Sequence, residues 1–209
     1  TQRAPSYGMP YESSSPPTPS VLNELRSGTQ TLHVALEKRL PFFSDSLDLQ
    51  RYTRLLAAYY GFYRAMENRL VNSALIPPGF DLHARLKTQA LEQDLRALGI
   101  KPGTLALCPT LPQLNSEASV LGVLYVLEGA TLGGNILRKQ ISDRLGLQAH
   151  DGGAFLYVYG EATGRNWKSF LDFLCAMPLD ARARAEAVKA ACSTFSCFEQ
   201  WLERQEVLL

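Results

Sequence analysis

The stretch that decides the fold lies at residues 116–145 and reads SEASVLGVLYVLEGATLGGNILRKQISDRL. Between positions 118 and 137 it carries a single charged side chain, Glu128. A segment of this length could span a bilayer, but a charge at the middle of such a span is costly. The surrounding segments have amphipathic patterns, and amphipathic helices need an apolar partner to pack on. We therefore predict that residues 116–145, capped by Ser116, form the central helix of a bundle without membrane contact.

Five further helices are predicted around this centre. Leucines recur at helical spacing from Ser20, which is the predicted N-cap, until Pro41. A broad apolar face begins near Leu47, and a third helical pattern stops at Gly99. The predicted ranges are residues 20–40, 47–70, 81–98, 163–176 and 181–206.

The connecting segments lack helical periodicity. Residues 100–115 contain three prolines and are predicted to form a loop. Residues 146–160 are rich in glycine and aromatic side chains, and we expect residues 155–159 to be briefly extended. Strand alternation is almost absent from the chain. The sequence therefore predicts a single-domain, all-α bundle of six or seven helices at residues 20–209.

The N-terminal residues differ in composition from the rest of the chain. Residues 1–19 hold five prolines and a run of three serines, and they cannot bury enough apolar surface to offset the entropy of ordering. We predict a flexible arm. Nothing in it resembles a secretion signal, so we expect a cytoplasmic protein.

Composition and absent motifs exclude several classes of protein. Lys and Arg number 21 and Asp and Glu number 20, which argues against a nucleic-acid binder that acts through bulk charge. The four cysteines form no C-x-x-C pair, so they are predicted to be small buried hydrophobes rather than zinc ligands or a redox dithiol. Motifs of P-loop enzymes, zinc and serine hydrolases and di-iron bundles are also absent.

One histidine differs from the other two. His83 and His150 lie among polar residues and are predicted to be solvated. His33 lies inside the first predicted helix, and Glu37 follows one turn later, where its carboxylate can reach the imidazole. A metal-ligating histidine usually donates its second N–H to such a partner. On spacing alone a histidine–glutamate pair on a helix surface is favoured, and a metal ligand is the alternative.

The central helix contains three glycines within six residues, Gly129, Gly133 and Gly134. Each glycine costs roughly 1 kcal/mol in a helix interior, so the cluster needs a physical reason. One reason is close packing against another helix. The other is the close approach of the backbone to a flat ligand. On spacing alone, helix packing is favoured.

Three motifs together resemble the heme oxygenases that produce biliverdin. They are T-x-x-x-H-x-x-x-E at residues 29–37, YVLEGATLGG at residues 125–134 and NWKSF at residues 166–170. Their order and spacing across residues 20–205 are similar to those of bacterial members, including enzymes that supply chromophore to bacteriophytochromes. The resemblance implies a heme-oxygenase-like helical bundle that converts heme to biliverdin, carbon monoxide and ferrous iron. Heme would be both cofactor and substrate, and dioxygen would be the co-substrate.

The resemblance also implies roles for single residues. His33 would be the axial iron ligand, and Glu37 would orient it. Gly129, Gly133 and Gly134 would line the distal face, where the missing side chains let the backbone approach the bound oxygen.

Heme propionates need cations, and the resemblance implies which residues supply them. Arg26 lies seven residues before His33, which is two turns along the same helix face. Lys168 matches a second basic position, and Arg165 lies one turn before it. We expect the propionates to set the in-plane rotation of the heme and to favour cleavage at the α-meso carbon.

Two positions depart from the family pattern. Ala130 stands where many members have an aspartate that organises water, and Asp172 stands where an arginine is frequent. Glu128 does not replace that aspartate, because helical geometry turns it away from the Gly129–Gly133 stripe. The proton path must then use backbone groups, other side chains or water.

Partners follow only from the resemblance. It implies an external electron donor, such as a ferredoxin or a flavin protein, and a bacteriophytochrome as a recipient of biliverdin. No nucleic-acid or membrane partner is expected. Two other hypotheses stay open, namely a non-catalytic heme carrier or sensor and a helical bundle without a cofactor.

Overall fold

The computed structural model describes residues 20–209, so the arm predicted at residues 1–19 lies outside the described part of the chain. Within this part the chain forms six α-helices and no β-strand, which confirms the predicted all-α class. The helices are α1 (Val21–Arg39), α2 (Leu49–Val71), α3 (Thr88–Ala97), α4 (Glu117–Leu145), α5 (Thr163–Ala176) and α6 (Ala181–Arg204).

The central helix α4 is long and apolar enough to cross a membrane by length and composition alone. In the fold it is a packed helix, since 56% of its most apolar window is buried. Helices α5 and α6 and the turn at Phe155–Tyr157 cover it. Gly122 lets α6 approach closely, because a methyl group at this position would overlap the Ala187 carbonyl. Burial in the bundle therefore accounts for the apolar length of α4.

Side chains cap the helices close to the predicted starts. The Ser20 hydroxyl accepts a hydrogen bond from the backbone of α1 at 3.2 Å. At α4 the Ser116 hydroxyl accepts from the Ser119 N–H at 3.1 Å, and the Ser119 hydroxyl accepts in return from the Ser116 N–H at 3.0 Å. Asp48 caps α2, which begins at Leu49, two residues after the predicted start. These bonds satisfy N–H groups that have no partner inside their own helix.

The third helix begins at Thr88, so the predicted start near residue 81 was wrong. The physical reason is Glu67, which is buried on α2. Its carboxylate accepts hydrogen bonds from the backbone N–H groups of Lys87 and Thr88 at 2.8 and 2.9 Å, and from the Thr88 hydroxyl at 2.6 Å. Glu67 therefore caps α3 from another helix, while His83–Arg85 form a separate 3-10 turn.

The prediction that residues 155–159 are briefly extended was wrong. Phe155–Tyr157 form a 3-10 turn instead. The buried carboxylate of Asp94 on α3 explains this turn. Its two oxygens accept hydrogen bonds from the backbone N–H groups of Ala154 and Phe155 at 2.7 and 2.8 Å. The long connector between α4 and α5 is thus held in shape from α3.

Aromatic side chains of α2 form the centre of the core. Tyr59 and Tyr63 pack edge-to-face on Phe155 and on Phe198 of α6, and Phe62 also contacts Phe198. These rings join α2, α6 and the connector. Such edge-to-face pairs stabilise a core beyond the area that they bury.

The prediction of buried cysteines was right for one position only. Cys108 is buried, whereas Cys192 and Cys197 are half-buried and Cys175 is exposed. The periodicity of α5 and α6 places these three side chains on partly solvated sides of their helices. In residues 20–209 all four thiols are free.

Candidate functional site

His33 and Glu37 lie one turn apart on the outer side of α1. His33 Nε2 is 2.8 Å from Glu37 Oε1, and the histidine side chain keeps 55% of its surface exposed. The imidazole also stacks on Phe195 of α6, with 5.4 Å between ring centroids. The hydrogen bond to His33 lowers the pKa of Glu37, while burial opposes this. The pair therefore orients the ring, and Nδ1 is the ring nitrogen that Glu37 does not contact.

A cleft of about 430 Å³ opens beside His33, between α1 and α4. Its volume lies in the range of small-molecule sites. The polar wall, with a guanidinium and several hydroxyl groups, suits a ligand that carries carboxylates. The lining residues are Asn23, Arg26, Ser27, Thr29, Gln30, His33 and Tyr125.

Tyr125 is a site residue to which the sequence analysis gave no role, although it begins the YVLEGATLGG motif. It borders the same cleft as His33 and Arg26, and its ring packs on Trp167 with 5.9 Å between centroids. Burial raises the pKa of Tyr125 above its ordinary value, and the charge of Arg26 opposes this. The phenol is therefore protonated at neutral pH and can donate a hydrogen bond. A usable signal was its place one turn before Gly129, on the side of the glycine stripe.

The three glycines of α4 have three different surroundings. A Cβ at Gly129 would lie 3.5 Å from the Trp167 indole, which is ordinary contact. A Cβ at Gly133 would meet nothing within 4 Å. At Gly134 it would lie 2.7 Å from the Leu156 carbonyl oxygen, so the connector packs directly on that backbone. Helix packing therefore explains Gly134, and open space lies beside Gly133.

The basic residues predicted to bind the heme propionates lie in two different places. Arg26 is exposed and forms part of the cleft wall together with His33. Lys168 is 81% exposed on α5, where its Nζ lies 3.9 Å from Asp172 Oδ2. Arg165 is also exposed on α5. The structure brings Arg26 and His33 to one cleft and leaves Lys168 and Arg165 at the surface of α5.

The residues beside the cleft fit a heme iron better than a bare metal ion. Across residues 20–209, no group of three or more His, Cys, Asp or Glu side chains could hold a metal ion. A heme iron needs no such group, because the porphyrin supplies four nitrogen ligands and the protein adds an axial one. The exposed His33, oriented by Glu37 and facing a cleft, meets this requirement.

The other side of α4 carries a buried carboxylate. Glu128 is 1% exposed, in agreement with the prediction that it faces away from the glycine stripe. Its oxygens lie 3.4 Å from Lys87 Nζ and 3.7 Å from Arg85 Nε, and they accept a hydrogen bond from the Tyr159 hydroxyl at 2.7 Å. Sequence reasoning missed these partners because they lie 31 to 43 positions away along the chain. Ala130 is exposed and brings no titratable group to the cleft side.

Comparison with known proteins gives consistent matches over nearly the whole chain. A heme oxygenase of Xanthomonas campestris pv. campestris is 30% identical over 156 residues, which are 75% of this chain and 91% of that protein. The heme oxygenase PigA of Pseudomonas aeruginosa is 29% identical over 177 residues, which are 84% of this chain and 85% of that protein.

A solved structure and a family model extend this similarity to the fold. The NO- and CO-bound heme oxygenase of Neisseria meningitidis matches with a TM-score of 0.74 at 25% identity, covering 89% of this chain and 92% of that one. The heme oxygenase family model matches residues 20–204, from the N-cap of α1 to the last residue of α6. The chain therefore belongs to the heme oxygenase family, whose members are heme-degrading oxidoreductases.

Proposed function

We propose that the cleft between α1 and α4 is the heme site, and that heme is cleaved there with dioxygen to biliverdin, carbon monoxide and ferrous iron. The observation that carries this proposal is the exposed His33–Glu37 pair at a cleft that Arg26 and Tyr125 also border. Bound heme supplies the iron that activates oxygen and the porphyrin edge that is oxidised.

On the proximal side the protein's task is to hold one nitrogen ligand in place. We assign His33 as the axial iron ligand. Glu37 accepts the N–H of the other ring nitrogen, which fixes the tautomer and raises the basicity of the ligand. Phe195 stacks on the ring and limits its rotation.

On the distal side the protein's task is to leave room and to supply protons. We assign Gly129, Gly133 and Gly134 to this face, as the resemblance implies. The open space beside Gly133 supports the assignment, whereas the side of Gly134 that lacks a Cβ packs on the Leu156 carbonyl. Because Ala130 has no titratable group, the proton path here must use backbone groups, other side chains or water.

The propionates are assigned to Arg26 and Tyr125 first. An arginine pairs with a carboxylate through two N–H groups, and a protonated phenol adds a third donor. Lys168 and Arg165 are assigned a second, weaker contact. The ion pair of Lys168 with Asp172 at 3.9 Å is exposed, and such pairs contribute little, so the ammonium can exchange its partner for a propionate.

A heme titration followed by reduction tests the function. The protein is loaded with ferric heme, and oxygen and a reductant are then added while the absorption spectrum is recorded. An oxygenase replaces the Soret band by the broad red absorption of a bilin and releases carbon monoxide, which ferrous myoglobin can trap. A heme carrier or sensor would keep its Soret band, and a bundle without a cofactor would not bind heme stoichiometrically.

Heme degradation needs electrons from outside the chain, so a reductant partner is part of the function. We assign this role to a ferredoxin or a flavin protein, and the role of biliverdin acceptor to a bacteriophytochrome, on the resemblance to the bacterial enzymes. We place the reaction in the cytoplasm. Residues 20–209 act as the heme oxygenase domain.

A further inference from the structure

A buried polar cluster lies behind the glycine stretch of α4, on the side away from the cleft. It consists of Arg85, Lys87, Glu128 and Tyr159, and it adjoins Glu67. The side chains of Glu128 and Lys87 are 1% and 3% exposed, and that of Arg85 is 12% exposed. Charges this deeply buried are costly unless they are paired and hydrogen-bonded. With the adjoining Glu67 included, two carboxylates balance the two bases, and both oxygens of Glu128 have partners.

Arg85 connects this cluster to a second helix. Its Nε lies 3.7 Å from Glu128 Oε1 on α4, and its Nη1 donates to the Asn166 carbonyl on α5 at 2.9 Å. Asn166 immediately precedes Trp167, whose indole is the group nearest to the missing side chain of Gly129. Gly129 in turn immediately follows Glu128. The Arg85 side chain therefore connects α4 and α5 close to the contact between Gly129 and Trp167.

The glycine stretch needs support of this kind. A glycine in a helix interior weakens the helix and provides no side-chain contacts of its own. A side chain at Gly133 would meet nothing within 4 Å, so packing does not hold that turn on its open side. Any fixed distance between this backbone and a ligand must then be set by neighbouring residues that have buried partners.

We propose that Glu128 and Arg85 are positioning residues for the distal face, because their buried ion pair, bridged to the Asn166 carbonyl, holds Gly129 on α4 against Trp167 on α5. The inference rests on the proposed assignment of the glycine stretch to the distal side of the heme. It also gives a role to the carboxylate beside Gly129, which faces away from the cleft. Glu128 is not among the residues that line the cleft and acts through the backbone of α4.

The chain provides a matched control at Glu67. This carboxylate is buried to a similar degree and lies beside the same cluster, but its hydrogen bonds go to the start of α3. Glu67→Gln and Glu128→Gln therefore each remove one negative charge from this buried region. Both variants are expected to lower the melting temperature, and only Glu128→Gln removes the ion pair between α4 and Arg85.

The first measurement uses the heme-free protein. Trp201 is 5% exposed and Trp167 is half-buried, so acrylamide quenching of tryptophan fluorescence reports mainly on Trp167. We expect Glu128→Gln to raise the quenching constant by about a factor of two, as local loosening would. Glu67→Gln should leave the quenching constant at its wild-type value. Equal quenching constants in wild type and in Glu128→Gln would overturn the proposal and leave the proposed function standing.

The second measurement uses the ferrous carbon monoxide complex, whose C–O stretching band reports the surroundings of the distal ligand. We expect this band to shift and broaden in Glu128→Gln and to stay unchanged in Glu67→Gln. A wild-type band in Glu128→Gln, despite increased quenching of Trp167, would overturn the link between the ion pair and the distal face. A similar change in both variants would show general loosening and would also overturn it.

Arg85→Lys keeps the proposal testable if Glu128→Gln fails to fold. A lysine preserves the positive charge but lacks the fork that reaches both Glu128 and the Asn166 carbonyl. We expect Arg85→Lys to fold, to show the raised quenching and to alter the C–O band. Wild-type behaviour of Arg85→Lys in both measurements would mean that charge balance alone matters at this position, and would overturn the positioning role.

Discussion

At the scale of the residue, His33 can be tested almost in isolation because its side chain is 55% exposed. We expect His33→Ala to keep the melting temperature of the heme-free protein, since exposed side chains contribute little to stability. Its heme complex should lose the histidine-ligated absorption spectrum and the formation of biliverdin, and added imidazole should restore part of both. Glu37→Gln should be milder, because it keeps a hydrogen-bond acceptor.

The control for this test is His150→Ala, which removes a histidine that is 81% exposed in the connector. It should match the wild type in absorption spectrum and in turnover. Normal turnover of His33→Ala without imidazole would contradict the assignment of the axial ligand.

The second test at this scale compares substitutions of two adjacent glycines, Gly133 and Gly134. Gly133→Leu should retain the stability of the heme-free protein, because its side chain enters open space, and should lose biliverdin formation. Gly134→Leu should destabilise the heme-free protein by about 1–3 kcal/mol through overpacking against the Leu156 carbonyl. Thermal unfolding and product yield per folded molecule measure the two effects. An undiminished yield in Gly133→Leu would mean that no ligand occupies that space.

The basic residues assigned to the propionates are expected to contribute differently to heme affinity. Arg26→Ala should weaken heme affinity by about 1–3 kcal/mol, because Arg26 borders the cleft and a hydrogen bond to a charged group is lost. Lys168→Ala should cost at most about 1 kcal/mol, since Lys168 is exposed and already paired with Asp172. The double variant should change the ratio of biliverdin isomers away from the expected α-meso product. Heme titration and chromatography of the products check both points, and an unchanged ratio would place the propionate contacts elsewhere.

At the scale of the element, α3 controls the connector through Asp94, and this contact should depend on pH. Burial raises the pKa of Asp94 to about 6, against two backbone hydrogen bonds that lower it. Because the folded value exceeds the ordinary value of 3.8, the protonated form favours the folded state. This contribution is complete below about pH 4 and is lost as the pH rises through about 6. Each pKa unit corresponds to about 1.4 kcal/mol, so the effect is at most about 3 kcal/mol.

Denaturant unfolding of the wild type and of Asp94→Asn across this pH range measures the effect. The free energy of unfolding of the wild type should fall, relative to that of the variant, between about pH 4 and pH 7. Asp172→Asn, which changes an exposed carboxylate, should follow the wild type. Parallel curves for the wild type and Asp94→Asn would show that Asp94 titrates normally.

At the scale of the whole molecule, the cleft lies between α1 and α4, and α6 connects these two helices. Helices α1 and α4 both pack on α6, and the cleft is lined by His33 of α1 and Tyr125 of α4. A heme held between them adds a second connection. Heme at about 100 times its Kd should therefore raise the free energy of unfolding by about 2.7 kcal/mol. Calorimetry with and without heme measures this, and His33→Ala should show a smaller gain. An equal gain in that variant would argue for binding outside the cleft.

The sequence by itself determined what depends on neighbours along the chain. Helical periodicity, the cap at Ser116 and the apolar length of residues 118–137 predict an all-α bundle with a central helix, since these properties depend on spacing of three to four residues. The His33–Glu37 pair was predictable for the same reason, because its two residues are four positions apart on one helix. The family motifs could be recognised in the sequence because each is contained in one helix.

Tertiary structure alone decided what depends on distant partners. The start of α3 depends on Glu67, and the turn at residues 155–157 depends on Asp94, because each carboxylate satisfies backbone N–H groups of a remote segment. The difference between Gly133 and Gly134 depends on where the Leu156 carbonyl lies. Helical periodicity reports which side of a helix is buried, but it carries no information about which residue covers that side. That information exists only once the chain has brought distant segments together.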